Sequence, residues 1–117
     1  MGQAIYLFGN VGKDPEVKEV GQLGTKMAMF SVATKSPTGK RDEEGKAIYK
    51  TEWHNCKAWR DAADKVERLM RKGDTVAIQG ELHTSSWGEE GQKKYRIDIE
   101  VNFSGNIVIE AKQDSGY

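Results

Sequence analysis

Large aromatic side chains recur at odd positions between residues 49 and 59, at Tyr49, Trp53 and Trp59, with Thr51, Asn55 and Lys57 between them. Alternate residues of an extended strand share a face, so all six project to one side. Two indoles beside an amide, a hydroxyl and an ammonium are too polar for an ordinary core and too aromatic for an ordinary solvated surface. The chemistry such a face suits is stacking on flat, partly charged ligands, of which nucleic acid bases are the commonest. The competing assignment places Trp53 and Trp59 in a barrel core, and the polar side chains on their face argue against it. Trp87 stands apart, among Ser85, Ser86, Gly88 and Glu89. A tryptophan in so charged a hairpin has little core to enter.

Other chemistry-bearing residues lead nowhere comparable. His54, Cys56 and His83 include two zinc-ligand types, but His-x-Cys is not a structural-zinc spacing and Cys56 is the only cysteine. No glycine-rich oxyanion loop or orienting acid accompanies a Cys/His dyad. No metal and no cofactor are therefore expected, and Cys56 reads as a buried small hydrophobe. Gly9-Asn10-Val11-Gly12-Lys13 lacks the Walker pattern and the helix that should follow it, so it reads as a turn. Asp42, Glu43 and Glu44 have no fixed partner and do not resemble a paired general acid and base. No enzyme emerges.

With 117 residues and 37% hydrophobic side chains, the chain is expected to form one small domain. Its 18 basic and 18 acidic residues cancel. Residues 35–60 nevertheless carry seven positive side chains against four acids, so the aromatic strand lies in the basic part of the chain. A lone cysteine rules out an intrachain disulfide, and a cytoplasmic location is expected. The first residues carry no signal-type pattern and no apolar run approaches the ~18 residues of a membrane span.

Residues 5–8 form a short apolar strand ending at Gly9-Asn10, and Asp14-Pro15 marks a bend before residues 16–20, which suggests a bent or bulged first strand. Residues 26–34 read as a second strand. Residues 35–46, rich in Pro, Gly and charge, read as an exposed flexible loop, and residues 47–59 as the third strand. At residues 60–72 the period becomes helical through Ala63, Val66, Leu69 and Met70, with Asp61 placed to cap the start and Gly73 the end. Residues 74–82 and 94–101 are further strands, the latter with Tyr95, Ile97, Ile99 and Val101 on one face. Between them residues 85–91 form an exposed turn that holds Trp87, and residues 103–110 offer a weaker sixth strand. This order predicts an all-β fold, a five-stranded OB-fold Greek-key barrel with one helix between strands 3 and 4; an open α+β sheet is the alternative. The barrel is assigned to residues 1–111 and a short polar tail to residues 112–117.

Several segments then match a family in order and spacing across residues 4–110: the run from Gly9 through Asp14-Pro15-Glu16, then Phe30-Ser31-Val32-Ala33-Thr34, Thr51-Glu52-Trp53-His54, Arg71-Lys72-Gly73 and Gln79-Gly80-Glu81-Leu82. Together they resemble bacterial-type single-stranded DNA-binding proteins. The resemblance implies an OB-fold subunit of a homotetramer that binds single-stranded DNA without sequence preference in replication, recombination and repair. It implies base stacking at Trp53, Trp59 and Trp87, secondary DNA contacts at Tyr95, Lys35, Lys57 and Lys72, and a subunit-interface role for His54. It further implies a bacterial host, with the protein in the nucleoid or encoded by a phage or plasmid.

Three departures from the family pattern bear on function. Pro37 and Thr38 stand where many members have another stacking tryptophan. His83, Ser85 and Ser86 precede Trp87 where members often have Arg or Lys, which implies a weaker salt dependence. The sequence ends at Gln113-Asp114-Ser115-Gly116-Tyr117 without an acidic, Phe-terminated tip, as a truncated chain or a naturally short variant would, which puts tail-mediated recruitment of replication and repair proteins in doubt. From another functional class, the same fold suits an assembly subunit of a primosome-type complex, its aromatics facing a protein partner.

Overall fold

The computed structural model describes residues 2–111. The strands are β1 (Ile5–Val11), β2 (Glu16–Val20), β3 (Thr25–Arg41), β4 (Ala47–Trp59), β5 (Thr75–Trp87), β6 (Lys94–Val101) and β7 (Ile107–Glu110). A helix, α1 (Asp61–Leu69), follows β4, and a 3-10 turn, Ser104–Asn106, precedes β7. Hydrogen-bonded neighbours run β1, β3, β4, β6, β5, and β5 pairs with β1 again, so these five strands close the expected OB-fold barrel. β4 and β6 run parallel; the other pairs are antiparallel. β2 lies beside β3 and β7 beside β5.

The helix was expected between strands 3 and 4, but in chain order it lies between the fourth and fifth. The cause is an interruption of the first strand at residues 12–15. β1 pairs with β3 as far as Val11 with Val32, and β2 resumes along the same edge of β3 at Glu16 with Met29, so the bent or bulged first strand counts as two strands with residues 12–15 between them. Among the five strands of the barrel alone, α1 still falls between the third and fourth.

Within the barrel, the even-numbered residues from Ala28 to Val32 of β3 and at Cys56 and Ala58 of β4 face the core. Ala28, Phe30, Val32, Cys56 and Ala58 are all buried, with Leu7, Val11, Val76, Ile78, Ile99, Val101 and Ile107 from the other strands. Helix α1 adds Ala62, Ala63 and Val66 to that core. Outside, Lys26 Nζ on β3 lies 2.8 Å from Asp64 Oδ1 and 2.8 Å from Glu67 Oε1, tying the helix to the barrel. Those two carboxylates hold the Lys26 ammonium above the usual lysine range.

The helix is shorter than its periodicity suggests. Asp61 is its first residue rather than its cap, and its carboxylate accepts only the adjacent Ala62 N–H. Arg60 supplies the corner before it, at φ 55° and ψ −118°, where its N–H donates to Lys26 O. At the other end Met70 is already extended and fully buried, and the chain turns back through Asp74, which accepts the Arg71 N–H. Gly73 therefore does not close the helix; it turns at φ 90° to donate to Val11 O.

Two hairpins project from the barrel. The segment expected as a flexible loop at residues 35–46 is mostly strand: β3 continues to Arg41, and β4 begins at Ala47. A turn of five residues joins them, in which Asp42 Oδ1 accepts the N–H groups of Glu44 and Lys46 and Gly45 adopts φ 83°. Similarly, β5 runs on to Trp87, so Trp87 ends a strand rather than sitting in the turn. The Cα radius of gyration is 16.7 Å, against about 13 Å for a compact chain of this length, which reflects these arms.

Candidate nucleic-acid interface

The β3–β4 register assembles the expected aromatic face. Ala33 pairs with Trp53, Ser31 with Asn55, Lys35 with Thr51, Met29 with Lys57 and Met27 with Trp59. Directly paired residues share a side of the sheet, and this side is the outer one, opposite Phe30, Val32 and Cys56. Trp53 is 61% exposed. Beneath it the backbone of Gly12 approaches so closely that a Cβ there would overlap the indole Cζ3 and come within 3.0 Å of Ser31 Oγ. The glycine-rich segment thus has a positional role: it lets the ring lie against the β1–β2 connection with its other surface open.

Trp59 shares the face but is less available. It is half-buried, and its indole Nε1 donates to Glu100 Oε1 at 2.8 Å; the other oxygen of Glu100 lies 3.4 Å from His83 Nδ1. Lys57 is also partly engaged, since its ammonium lies 3.5 Å from Asp98 Oδ2. Lys35 is exposed beside Thr51.

Trp87 stands at the far end of the β5–β6 arm, half-exposed and paired with Lys94. Tyr95 pairs with Ser86, one residue out of phase, and so projects from the reverse side of that arm with Ile97 and Leu82. It does not join the tryptophan face. Lys72 is not on the sheet either; it lies in the turn after α1, where its backbone N–H donates to Asp14 Oδ1, two residues beyond Gly12. His54 points to the inner side of β4, half-buried, with Nε2 2.9 Å from the Thr34 hydroxyl. Between β4 and the β5–β6 arm, beyond the short parallel pairing, an open cleft of about 440 Å³ is lined by Trp53, Asn55, Leu82 and Ile97 among others.

Residues that the sequence reading missed are on β6. Lys94, Arg96, Asp98 and Glu100 all project to the tryptophan side, opposite Trp87, Ser85, His83 and Glu81. The signal was the complement of the one used: the odd residues of β6 are apolar, and every even one is charged.

Cys56 lies behind this face, against the core. Burial, with a smaller push from the Asp98 carboxylate, raises its thiol to about 12. The reactive thiolate is therefore scarce at neutral pH. The native protein is expected to resist a colourimetric disulfide reagent at pH 8 and to react with it promptly once unfolded in guanidinium; rapid reaction of the native form would contradict this placement.

A family model for the single-strand binding protein family matches residues 3–107. The chain belongs to that family. Members similar to it include single-stranded DNA-binding protein 1 of Chlorobaculum tepidum, 37% identical over 97 residues, which are 81% of this chain and 58% of that protein. The chain thus spans somewhat more than half the length of that relative. The single-stranded DNA-binding protein of Rickettsia felis is 33% identical over 108 residues, 90% of this chain and 70% of the relative. Among solved structures, the Plasmodium falciparum SSB complex with ssDNA superposes with a TM-score of 0.74 at 31% identity, covering 93% of this chain and 92% of the other. Residues 112–117, assigned above to a polar tail, lie outside the described residues.

Proposed function

We propose that this protein binds single-stranded DNA without sequence preference, stacking bases on Trp53, with Trp59 and Trp87 as further stacking sites and Lys35, Lys57 and Lys72 near the phosphates. The observation that carries this reading is the Trp53 indole, exposed on the outside of the barrel with Gly12 against one side and Lys35 close by on the same face. An unpartnered indole on a sheet is poorly explained by folding alone, whereas every base has a π-face to meet it. Tyr95, on the reverse of the β5–β6 arm, fits a strand that wraps the arm. The role is protection of single strands in replication, recombination and repair, exercised by binding rather than turnover.

Assembly as a homotetramer is part of the same proposal. Tyr6 and Phe8, each 74% exposed, share a surface depression with Ala77 and Val108, an apolar patch of the kind that marks a contact between subunits. His54 is proposed as a second residue bearing on assembly.

The test is tryptophan fluorescence. Adding poly-dT at low salt should quench it, and a duplex of the same length should compete weakly. Unquenched fluorescence, or equal affinity for duplex, would refute the proposal.

A further inference from the structure

Asp98 has no solvent exposure, yet it sits in the middle of the surface that carries the tryptophans and the cations. Its Oδ1 accepts from Arg96 Nε at 2.9 Å. Its Oδ2 lies 3.5 Å from the Lys57 ammonium and has no hydrogen bond among the described residues. A buried carboxylate, even one paired with two cations, is a poor source of stability, so its value must be sought in what it does to its neighbours.

Its effect on Arg96 is specific. The bond to Asp98 engages Nε and leaves both terminal amino groups of the guanidinium without a partner among the described residues, on a side chain that is 45% exposed. A guanidinium held by one edge presents the other as a fork, the geometry that receives two phosphate oxygens. Position adds to this. Arg96 pairs with Ser85, and the next outward-facing pair along the arm is Trp87 with Lys94. In the other direction Lys57, on the Trp53–Trp59 face, reaches the same carboxylate. Between Glu81 and Trp87, β5 has no Lys or Arg of its own, so Arg96 supplies the charge at this level of the arm.

We infer that Arg96 is a phosphate-binding residue on the path between the Trp53 platform and Trp87, and that Asp98 is the positioning residue that sets its guanidinium edge-on. The inference rests on the DNA-binding function proposed above, and adds to it a cation and a role for the buried acid.

Equilibrium titrations of a dT oligomer at several salt concentrations test it, on the intact protein. Each neutralised phosphate of a single strand contributes roughly 0.7 to the slope of log affinity against log salt. Arg96→Ala should lower the slope by about that amount while leaving the maximal tryptophan quench unchanged. Asp98→Asn should lower it similarly, and in a Lys57→Ala background, where the acid's other cation is gone, adding Asp98→Asn to Arg96→Ala should change nothing further, because the acid then acts only through the arginine. Arg96→Lys keeps a charge but not the fork, and should recover less than half of the lost affinity. A wild-type slope in Arg96→Ala overturns the inference even if Asp98→Asn does not fold. Tighter binding by Asp98→Asn would make the acid a simple repulsive charge, and full rescue by lysine would remove orientation from the account. Failure of the unmodified protein to bind at all would instead refute the proposed function, and this inference with it.

Discussion

Trp53→Ala is expected to weaken binding to a dT oligomer by about 5- to 150-fold, the equivalent of roughly 1–3 kcal/mol for a lost base stack. The protein should nevertheless stay folded. Trp53 lies on the outside of the barrel, and its ring is 61% exposed. Phe30→Ala makes the contrast, because that ring is 4% exposed and faces the core from the neighbouring strand; its loss should cost about 3–5 kcal/mol of stability. Melting curves and fluorescence titrations of the two variants should therefore separate: one loses affinity, the other stability. A Trp53→Ala variant that melts like Phe30→Ala would make the indole a structural residue and undo the stacking assignment.

The second large effect is expected from Phe8→Glu. Placing a carboxylate in the exposed patch of Tyr6, Phe8 and Val108 should split the proposed assembly, since an interface would have to bury an unpaired charge. Linked binding sites act at high effective concentration, so affinity for a long oligonucleotide should fall by about 10²- to 10⁴-fold toward that for a short one. Affinity for an oligonucleotide too short to span two subunits should hardly change. Light scattering and titrations at two lengths would check both parts, and an unchanged mass would remove this patch as the interface.

How much was legible depended on whether a segment buries anything. The aromatic face of β4 could be read because the opposite residues, Cys56 and Ala58, are core residues, which fixes the phase of the alternation. The arm at residues 35–46 could not. Its two strands have no core beneath them, so Pro, Gly and charge dominate the sequence, and pairing continues only because the barrel has already set the register and Asp42 ties the turn. The bend at Asp14-Pro15 was legible, but not that it divides the first strand in two, because that depends on where pairing with β3 stops and resumes. At the site, the outward side of Trp53 was legible from parity, whereas Lys35, read as part of a loop, was named only through the family resemblance. Tyr95 was grouped with Ile97, Ile99 and Val101 on one face, as the register has it, and Arg96 was passed over because the apolar residues of β6 drew the reading. That Lys57 faces a buried acid depends on a parallel contact between distant strands, which no local pattern encodes.

The two-sided character of β4 limits how the protein can vary in length. From His54 to Ala58 its even residues face the barrel interior and its odd ones lie on the outer, aromatic side, so inserting or deleting a single residue near Asn55 would turn indoles inward and core side chains outward along the rest of the strand. Changes of two residues preserve both sets. The irregularity already present in the arm obeys this rule: Pro37 pairs with Tyr49 and Arg41 with Ala47, so β3 takes in two extra residues without changing phase. Functional variants of this arm should accordingly differ in length by even numbers of strand residues.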